Sequence, residues 1–205
     1  IYHCGDVMYD NSLYFSRISD KKSRILTDLA IENNSYILVT VHRNDNTDSS
    51  LKLNELFHTF LEIIKIHQIK IILPIHPRTT KMIDQLLEPN LKKEIKKTES
   101  LKIIPPVGFL DMIALEKNAI LIITDSGGVQ KESYFFKKPC IILRPQTEWV
   151  EILATQSAII TDTDSVKILK ATANFLNHPE LQFPPIFGDA NAASFIVKEM
   201  ISQFS

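Results

Sequence analysis

The sequence predicts an α/β protein built on a doubly wound, mostly parallel, Rossmann-like sheet. Three observations carry that reading. Short β-branched runs alternate with longer stretches of helical spacing, and most of the short runs are apolar throughout rather than at every second residue. Polar loops rich in histidine, glycine or proline follow the carboxyl ends of those runs. An apolar run without alternation is what a strand shows when helices cover both faces of a parallel sheet.

The predicted strands are 36–41, 70–75, 101–104, 119–124 and 140–143, with a weaker one at 158–160. Helical spacing marks 23–33, 51–67, 79–87, 109–118, 128–136, 166–176 and 192–204. Within 51–67, Leu53, Leu56, Phe57, Phe60, Leu61 and Ile64 fall on one face. The turn Phe183-Pro184-Pro185, ahead of Phe187-Gly188-Asp189, releases a final helix that would show an apolar face bearing Phe195, Ile196 and Met200.

A chain of 205 residues with 44% hydrophobic and 23% charged content buries a sizeable core, and its formal net charge of -1 supplies no field to attract nucleic acid or an anionic membrane. Any anionic ligand must therefore be held by local groups. No run approaches the roughly 20 apolar residues of a membrane span, and no basic-then-apolar leader opens the chain. Cys4 and Cys140 lack partners at metal or redox spacing, which fits a reduced, cytoplasmic setting. The chain begins Ile-Tyr-His-Cys rather than with Met, and is read as starting partway through a longer polypeptide.

In a doubly wound sheet, ligands bind beyond the carboxyl ends of the strands. The loops there read HRNDNTD, HPRTT, PPVGFLD, TDSGGVQKE and RPQTEWVE in chain order. The strongest local signal is Asp125-Ser126-Gly127-Gly128, between an apolar strand and a helix. Two residues without side chains let an anion reach the amides of a helix N-terminus, with Ser126 adding a hydroxyl and Asp125 orienting the turn. The same four residues also fit an ordinary capped turn. Glu132 lies one helical turn further on, where a ribose would lie beside a cradled diphosphate; the other reading is an exposed helix glutamate next to Lys131. His42 and Arg43 stand directly after a strand, and His76, followed by Pro77 and Arg78, repeats the arrangement one strand later. His3, His58, His67 and His178 lack such placement and are read as structural or exposed. No His/Asp/Glu set has metal-ligand spacing, so no metal is expected. Trp149, the only tryptophan, fits a pocket wall or plain core. A Walker loop, a GxGxxG and a nucleophile elbow are all missing from the sequence, which disfavours kinases, dehydrogenases and serine hydrolases.

GDVMYD at 5–10, VTVHRNDN at 39–46, PIHPRT at 74–79, TDSGGVQKE at 124–132, KKPCIILR at 137–144, TEWVE at 147–151 and the closing FGDANAASFIV together resemble the C-terminal domain of the non-hydrolysing UDP-N-acetylglucosamine 2-epimerases. The resemblance covers essentially the whole chain. It implies one half of a two-domain GT-B-type fold: a linker at 1–12, a UDP-binding domain at 13–186 and a helical tail at 187–205. It implies Ser126, Gly127 and Gly128 as phosphate-cradling residues, Glu132 as the ribose ligand, the segment from Val107 to Met112 around the uracil, and His42 as an active-site residue beside the UDP. The implied reaction interconverts UDP-GlcNAc and UDP-ManNAc for surface polysaccharide synthesis, by anti elimination of UDP to a 2-acetamidoglucal and its re-addition on the other face, without a cofactor. The carboxylates that move the proton at carbon 2 belong to the family's other domain, and the full-length parent is expected to be a homodimer.

Two departures bear on substrate and regulation. Asp45 stands where many bacterial members carry Glu, and Trp149 where they carry Arg; Arg43, Asp45, His76 and Trp149 are therefore candidate substrate or regulatory residues. The TEWVE form is similar to members acting on UDP-2,3-diacetamido-2,3-dideoxyglucuronate, which stays open as substrate. The rivals outside the family are a GT-B glycosyltransferase donor domain and a nucleotide-sugar-binding module without catalysis.

Overall fold

The computed structural model describes residues 1–177 and 180–204; His178 therefore lies outside the described residues. Six parallel strands form one sheet in the order β3-β2-β1-β4-β5-β6. They are β1 (Tyr36–Thr40), β2 (Lys70–Pro74), β3 (Leu101–Ile104), β4 (Leu121–Thr124), β5 (Cys140–Ile142) and β6 (Ala158–Ile160). The eleven helices among the described residues are α1 (Val7–Lys22), α2 (Ile25–Asp28), α3 (Asn44–Thr47), α4 (Ser50–His67), α5 (Pro77–Leu86), α6 (Pro89–Lys97), α7 (Phe109–Asn118), α8 (Gly127–Phe135), α9 (Val150–Ala154), α10 (Ser165–Asn177) and α11 (Ala192–Phe204). None of them is long and apolar enough to cross a membrane.

The wholly apolar strands behave as two-sided core. Ile37 and Val39 of β1 face a cluster that contains Leu53, Leu56, Phe57 and Phe60 of α4 with Ile168 and Phe175 of α10. Tyr36 and Leu38 face the opposite cluster, with Leu115 of α7 and Val129 of α8. Cys140 sits in the third cluster, beside Tyr134 and Ile152, and burial pushes its thiol up to about 12, which leaves it unreactive at neutral pH.

The chain builds β1, β2 and β3 outward in one direction, then crosses back to set β4 against the other side of β1. Thr40 and Thr124 are register partners at the carboxyl ends of β1 and β4, where the strand order reverses, and their hydroxyls meet at 2.5 Å. This is the switch point at which such sheets open a crevice.

Two segments differ from the periodicity. Residues 7–22, where no helix is expected, form α1, because its buried residues are Ser12, Ser16 and Ser19 rather than an apolar stripe. Asp6 caps this helix by accepting from Met8 N at 2.8 Å, and Ser19 Oγ donates to the Leu110 carbonyl at 2.6 Å. Small hydroxyls let α1 lie close on α7, a contact that hydropathy does not register. Conversely, of the helix expected over 23–33 only Ile25–Asp28 forms, since Ala30 and Asn34 adopt φ of 49° and 54°. The short α3 and α9 and the lysine-rich α6 are further helices that periodicity does not mark.

The two ends of the described chain meet. Asp6 N donates to the Phe187 carbonyl at 3.1 Å, and Asp10 accepts from Ala192 N and Ala193 N at 3.2 and 2.7 Å. Gly5 and Gly188 both have positive φ, and a Cβ on Gly188 would lie 2.9 Å from Gly5 Cα, so this crossing admits no side chain. Beyond it, Phe195 and Met200 of the apolar face expected on α11 are exposed, and Val197 with them, whereas Ile196 is half-buried.

Phe60→Ala is expected to lower the unfolding free energy by about 3–5 kcal/mol in urea denaturation, because Phe60 is fully buried and stacks edge-on with Phe57. Leu51→Ala on the same helix should change it by about 0.5 kcal/mol or less, since Leu51 is 78% exposed.

Candidate functional site

The loops after β1 and β4 are joined by one carboxylate. Asp125 is fully buried and accepts from His42 N at 3.2 and 3.1 Å, from Arg43 N at 3.0 Å and from Asn46 Nδ2 at 3.1 Å. Asn46 also donates to the Leu143 carbonyl at 2.9 Å, which extends the link to the end of β5. A buried carboxylate needs such converging N–H groups to offset its loss of water. Its Oδ1 further lies 3.1 Å from His42 Nδ1, and the bond to Asp125 is the largest influence raising the His42 pKa above its ordinary value, with partial burial and Arg43 opposing it. The contact leaves Nε2 of the half-exposed imidazole directed away from Asp125, with the cationic form favoured.

Immediately after Asp125, Ser126 N donates to Thr124 Oγ1 at 2.9 Å, and the Ser126 hydroxyl caps α8 by accepting from Val129 N at 3.4 Å. Gly127 and Gly128 occupy the first turn of α8, and their N–H groups have no partner among the described residues. Neither glycine has positive φ, and a Cβ on either would meet nothing nearer than 3.6 Å. The fold itself therefore accepts alanine at both positions, whereas an anion settling on those amides would not.

Glu132 turns back toward this turn, its Oε2 4.0 Å from where a Gly128 Cβ would stand. It is half-buried, and burial raises its pKa while the neighbouring Glu116 carboxyl lowers it. The exposed-glutamate alternative thus gives way; beside Glu132, the Lys131 amine is buried, pairs with Asp6 and lies 4.1 Å over the Trp149 ring.

His42, His76, Val107, Met112, Ser126 and Val129 share a cavity of about 230 Å³ at the ends of β1, β2 and β4. The two strand-end histidines thus fall into one pocket, because β1 and β2 are neighbours. His76 caps α5 through Nδ1, which accepts from Arg78 N at 3.3 Å. Arg78 is committed to Asp48 at 2.6 and 2.7 Å, whereas Arg43 forms no ion pair among the described residues. Asp45 faces solvent on α3, outside the cavity. Trp149 is neither free wall nor plain core: its indole N–H donates to the Gly127 carbonyl at 2.8 Å, fastening the β5 loop to the first turn of α8.

Four residues escape the sequence reading. Asn46 bridges the loops as described. Arg144 and Glu148 form a bidentate pair at 2.7 Å in both arms, beside Gly127, and Arg144 pulls the Glu148 carboxyl down to about 2. Arg144 follows β5 as His42 follows β1, so the strand-end rule could have marked it. Glu116 is buried on α7, and its signal was a carboxylate at helical spacing from Met112 and Ile113.

The arrangement defines a class: a doubly wound domain that presents an unpartnered helix N-terminus, a carboxylate and a poised histidine at its switch point. The family profile described as UDP-N-acetylglucosamine 2-epimerase matches residues 1–201, and the chain belongs to that family. It is 43% identical over 199 residues to a UDP-N-acetylglucosamine 2-epimerase homolog of Methanococcus maripaludis, covering 97% of this chain and 54% of that one. It is 34% identical over 198 residues to the UDP-2,3-diacetamido-2,3-dideoxy-D-glucuronate 2-epimerase of Pseudomonas aeruginosa, covering 97% and 52%. The solved Methanocaldococcus jannaschii UDP-GlcNAc 2-epimerase, in complex with UDP-GlcNAc and UDP, superposes with a TM-score of 0.83 at 35% identity over 97% of this chain and 54% of that chain. The chain spans about half the length of the curated relatives it matches.

Asp125→Asn is expected to bring the His42 pKa down toward about 6.5, followed by imidazole proton shifts in an NMR titration. Because the folded-state pKa is raised, the His42–Asp125 contact contributes fully below about 6.5 and fades as pH rises through the raised value. Asp125→Ala should cost about 3 kcal/mol of stability, by leaving buried N–H groups unpaired.

Proposed function

We propose that this chain is the UDP-binding half of a non-hydrolysing UDP-N-acetylglucosamine 2-epimerase, with the remaining half of the active site on the part of the relatives that it does not span. The observation that carries this reading is the first turn of α8: two unpartnered glycine amides, a capping serine and Glu132 one turn along, all at the switch point. In this reading Ser126, Gly127 and Gly128 receive the diphosphate, Glu132 accepts from the ribose, and Val107 and Met112 hold the uracil in the strand-end cavity. The imidazolium of His42 faces the departing diphosphate, where a positive charge stabilises the UDP formed by elimination. Carbon 2 loses its proton to a carboxylate of the other half as the bond from carbon 1 to UDP breaks; the 2-acetamidoglucal remains in the closed cleft, UDP re-forms its bond to carbon 1, and a proton returns to carbon 2 on the opposite face. Residues 1–12 and 187–205, whose described parts meet where Asp10 accepts from Ala192 N and Ala193 N, link this domain to the other half and pack on it, in a homodimeric parent.

Arg43 remains uncommitted for a substrate carboxylate or phosphate, and the relative from Pseudomonas aeruginosa keeps the diacetamido-glucuronate branch as the second reading. His76, lining the cavity, and Asp45, exposed outside it, serve substrate selection or regulation. Of the rivals, a glycosyltransferase donor domain would transfer the sugar without exchanging the hydrogen at carbon 2.

Calorimetric titration with UDP tests the site: Ser126→Ala combined with Glu132→Ala should weaken binding by about a hundredfold, through loss of two polar anchors. Incubated alone with UDP-N-acetylglucosamine in deuterated water, the chain should leave carbon 2 unlabelled, and labelling should appear in the full-length parent. Undiminished binding by the double variant would overturn the assignment.

A further inference from the structure

Glu116 is 1% exposed on α7, and neither of its carboxyl oxygens has a hydrogen-bond donor among the described residues. What it faces is the carboxyl of Glu132, across the packing of α7 on α8. The charged and titratable groups on the surrounding elements are otherwise engaged. On β1, the Tyr36 hydroxyl is donated to the Leu115 carbonyl at 2.6 Å. On α1, Asp20 pairs with Lys117 and Asp6 with Lys131, whose amine lies over Trp149; Arg17 is exposed. On α2, Asp28 faces solvent. Two carboxylates at such a site, without a cation, cannot both stay ionised, and a proton held on one of them is the group that can join them. Burial, reinforced by the Glu132 carboxyl opposite, pushes Glu116 well above the usual carboxylate range, so that Glu116 is the one that holds it.

We propose that protonated Glu116 is a positioning residue for nucleotide binding: its carboxylic acid donates to Glu132, fixing that carboxylate beside Gly128 as the acceptor for the vicinal hydroxyls of a ribonucleoside diphosphate. The proposal rests on the reading of Glu132 as the ribose ligand. Between its two titrations the pair carries one negative charge and binds best. Acid removes the charge that accepts the hydroxyls. Alkali ionises Glu116 as well, and the two carboxylates repel one another, turning Glu132 out of place. Ribose recognition is therefore limited on the alkaline side by a residue that never touches the ligand.

The test titrates the chain with UDP and with 2′,3′-dideoxy-UDP by calorimetry across about pH 5 to 9.5, for the wild type, Glu116→Gln and Glu116→Met. Glutamine donates at every pH, so Glu116→Gln should match the wild type near neutrality and lack its alkaline fall in UDP affinity. Glu116→Met, similar in bulk but without a donor, should bind UDP about tenfold more weakly near neutrality. A second arm needs no ligand. A carboxyl whose folded-state pKa exceeds its unfolded value of about 4.3 contributes stability that is complete below that value and is lost as pH rises through the raised one. Thermal unfolding of the ligand-free wild type should accordingly fall with pH relative to Glu116→Gln. Identical pH profiles for wild type and Glu116→Gln, or unimpaired UDP binding by Glu116→Met, would overturn the proposal. Equal affinities for UDP and its dideoxy analogue would overturn it too, through failure of the ribose reading; the ligand-free arm tells that failure from the absence of a shared proton.

Discussion

The buried carboxylate of Asp125 is the constraint from which the candidate site takes its shape. It stands at the reversal of strand order, where β1 and β4 run side by side and their following loops diverge. By accepting from two backbone amides of one loop and a side-chain amide that also reaches β5, it holds three strand ends in a fixed relation. Leaving any one of those buried donors unmet would cost about 1–3 kcal/mol. The same oxygens orient His42 and favour its cationic form, so one side chain sets both the loop geometry and the charge of the pocket.

Lys131 plays a similar part on the other side of α8. Its buried amine is satisfied by Asp6 and by the faces of Trp149 and Phe187, the latter at 5.3 Å. The start of α1, the β5 loop and the segment that leads to α11 are thereby gathered around one cation. An ammonium removed from water needs such compensation, and here it draws together segments more than a hundred residues apart in sequence. The Trp149 indole, pinned to the Gly127 carbonyl, transmits this order to the helix turn with the two open amides.

The charges around the pocket divide into committed and open ones. Arg78 and Arg144 are neutralised by Asp48 and Glu148 in bidentate pairs, which fix loop shape but leave little attraction for a distant anion. Arg43, without an ion pair among the described residues, and the α8 N-terminus remain open, which suits a protein whose net charge of -1 offers no general field. The two histidines at neighbouring strand ends share the pocket, yet only His42 meets a carboxylate, whereas His76 caps a helix.

All six strands and their parallel character were legible in the sequence, because strands covered on both faces must be apolar throughout. The loops that carry polar chemistry were legible as well, since they follow those strands directly. The helix of Ser12, Ser16 and Ser19 was not, because its packing uses small size and hydroxyl bonds rather than hydrophobic periodicity. His42, His76, Val107, Met112 and Ser126 could be named one by one, but their assembly in one pocket rests on the crossover that returns β4 to β1. Contacts between side chains distant in sequence were beyond any local pattern: Glu116 against Glu132, Lys131 under Trp149, Asn46 on Asp125. By itself the sequence determined which residues are apolar, which turns lack side chains and which groups can ionise. Only the tertiary structure decided which of those groups share a low-dielectric space, and it is that proximity, through desolvation and mutual charge, that sets their protonation.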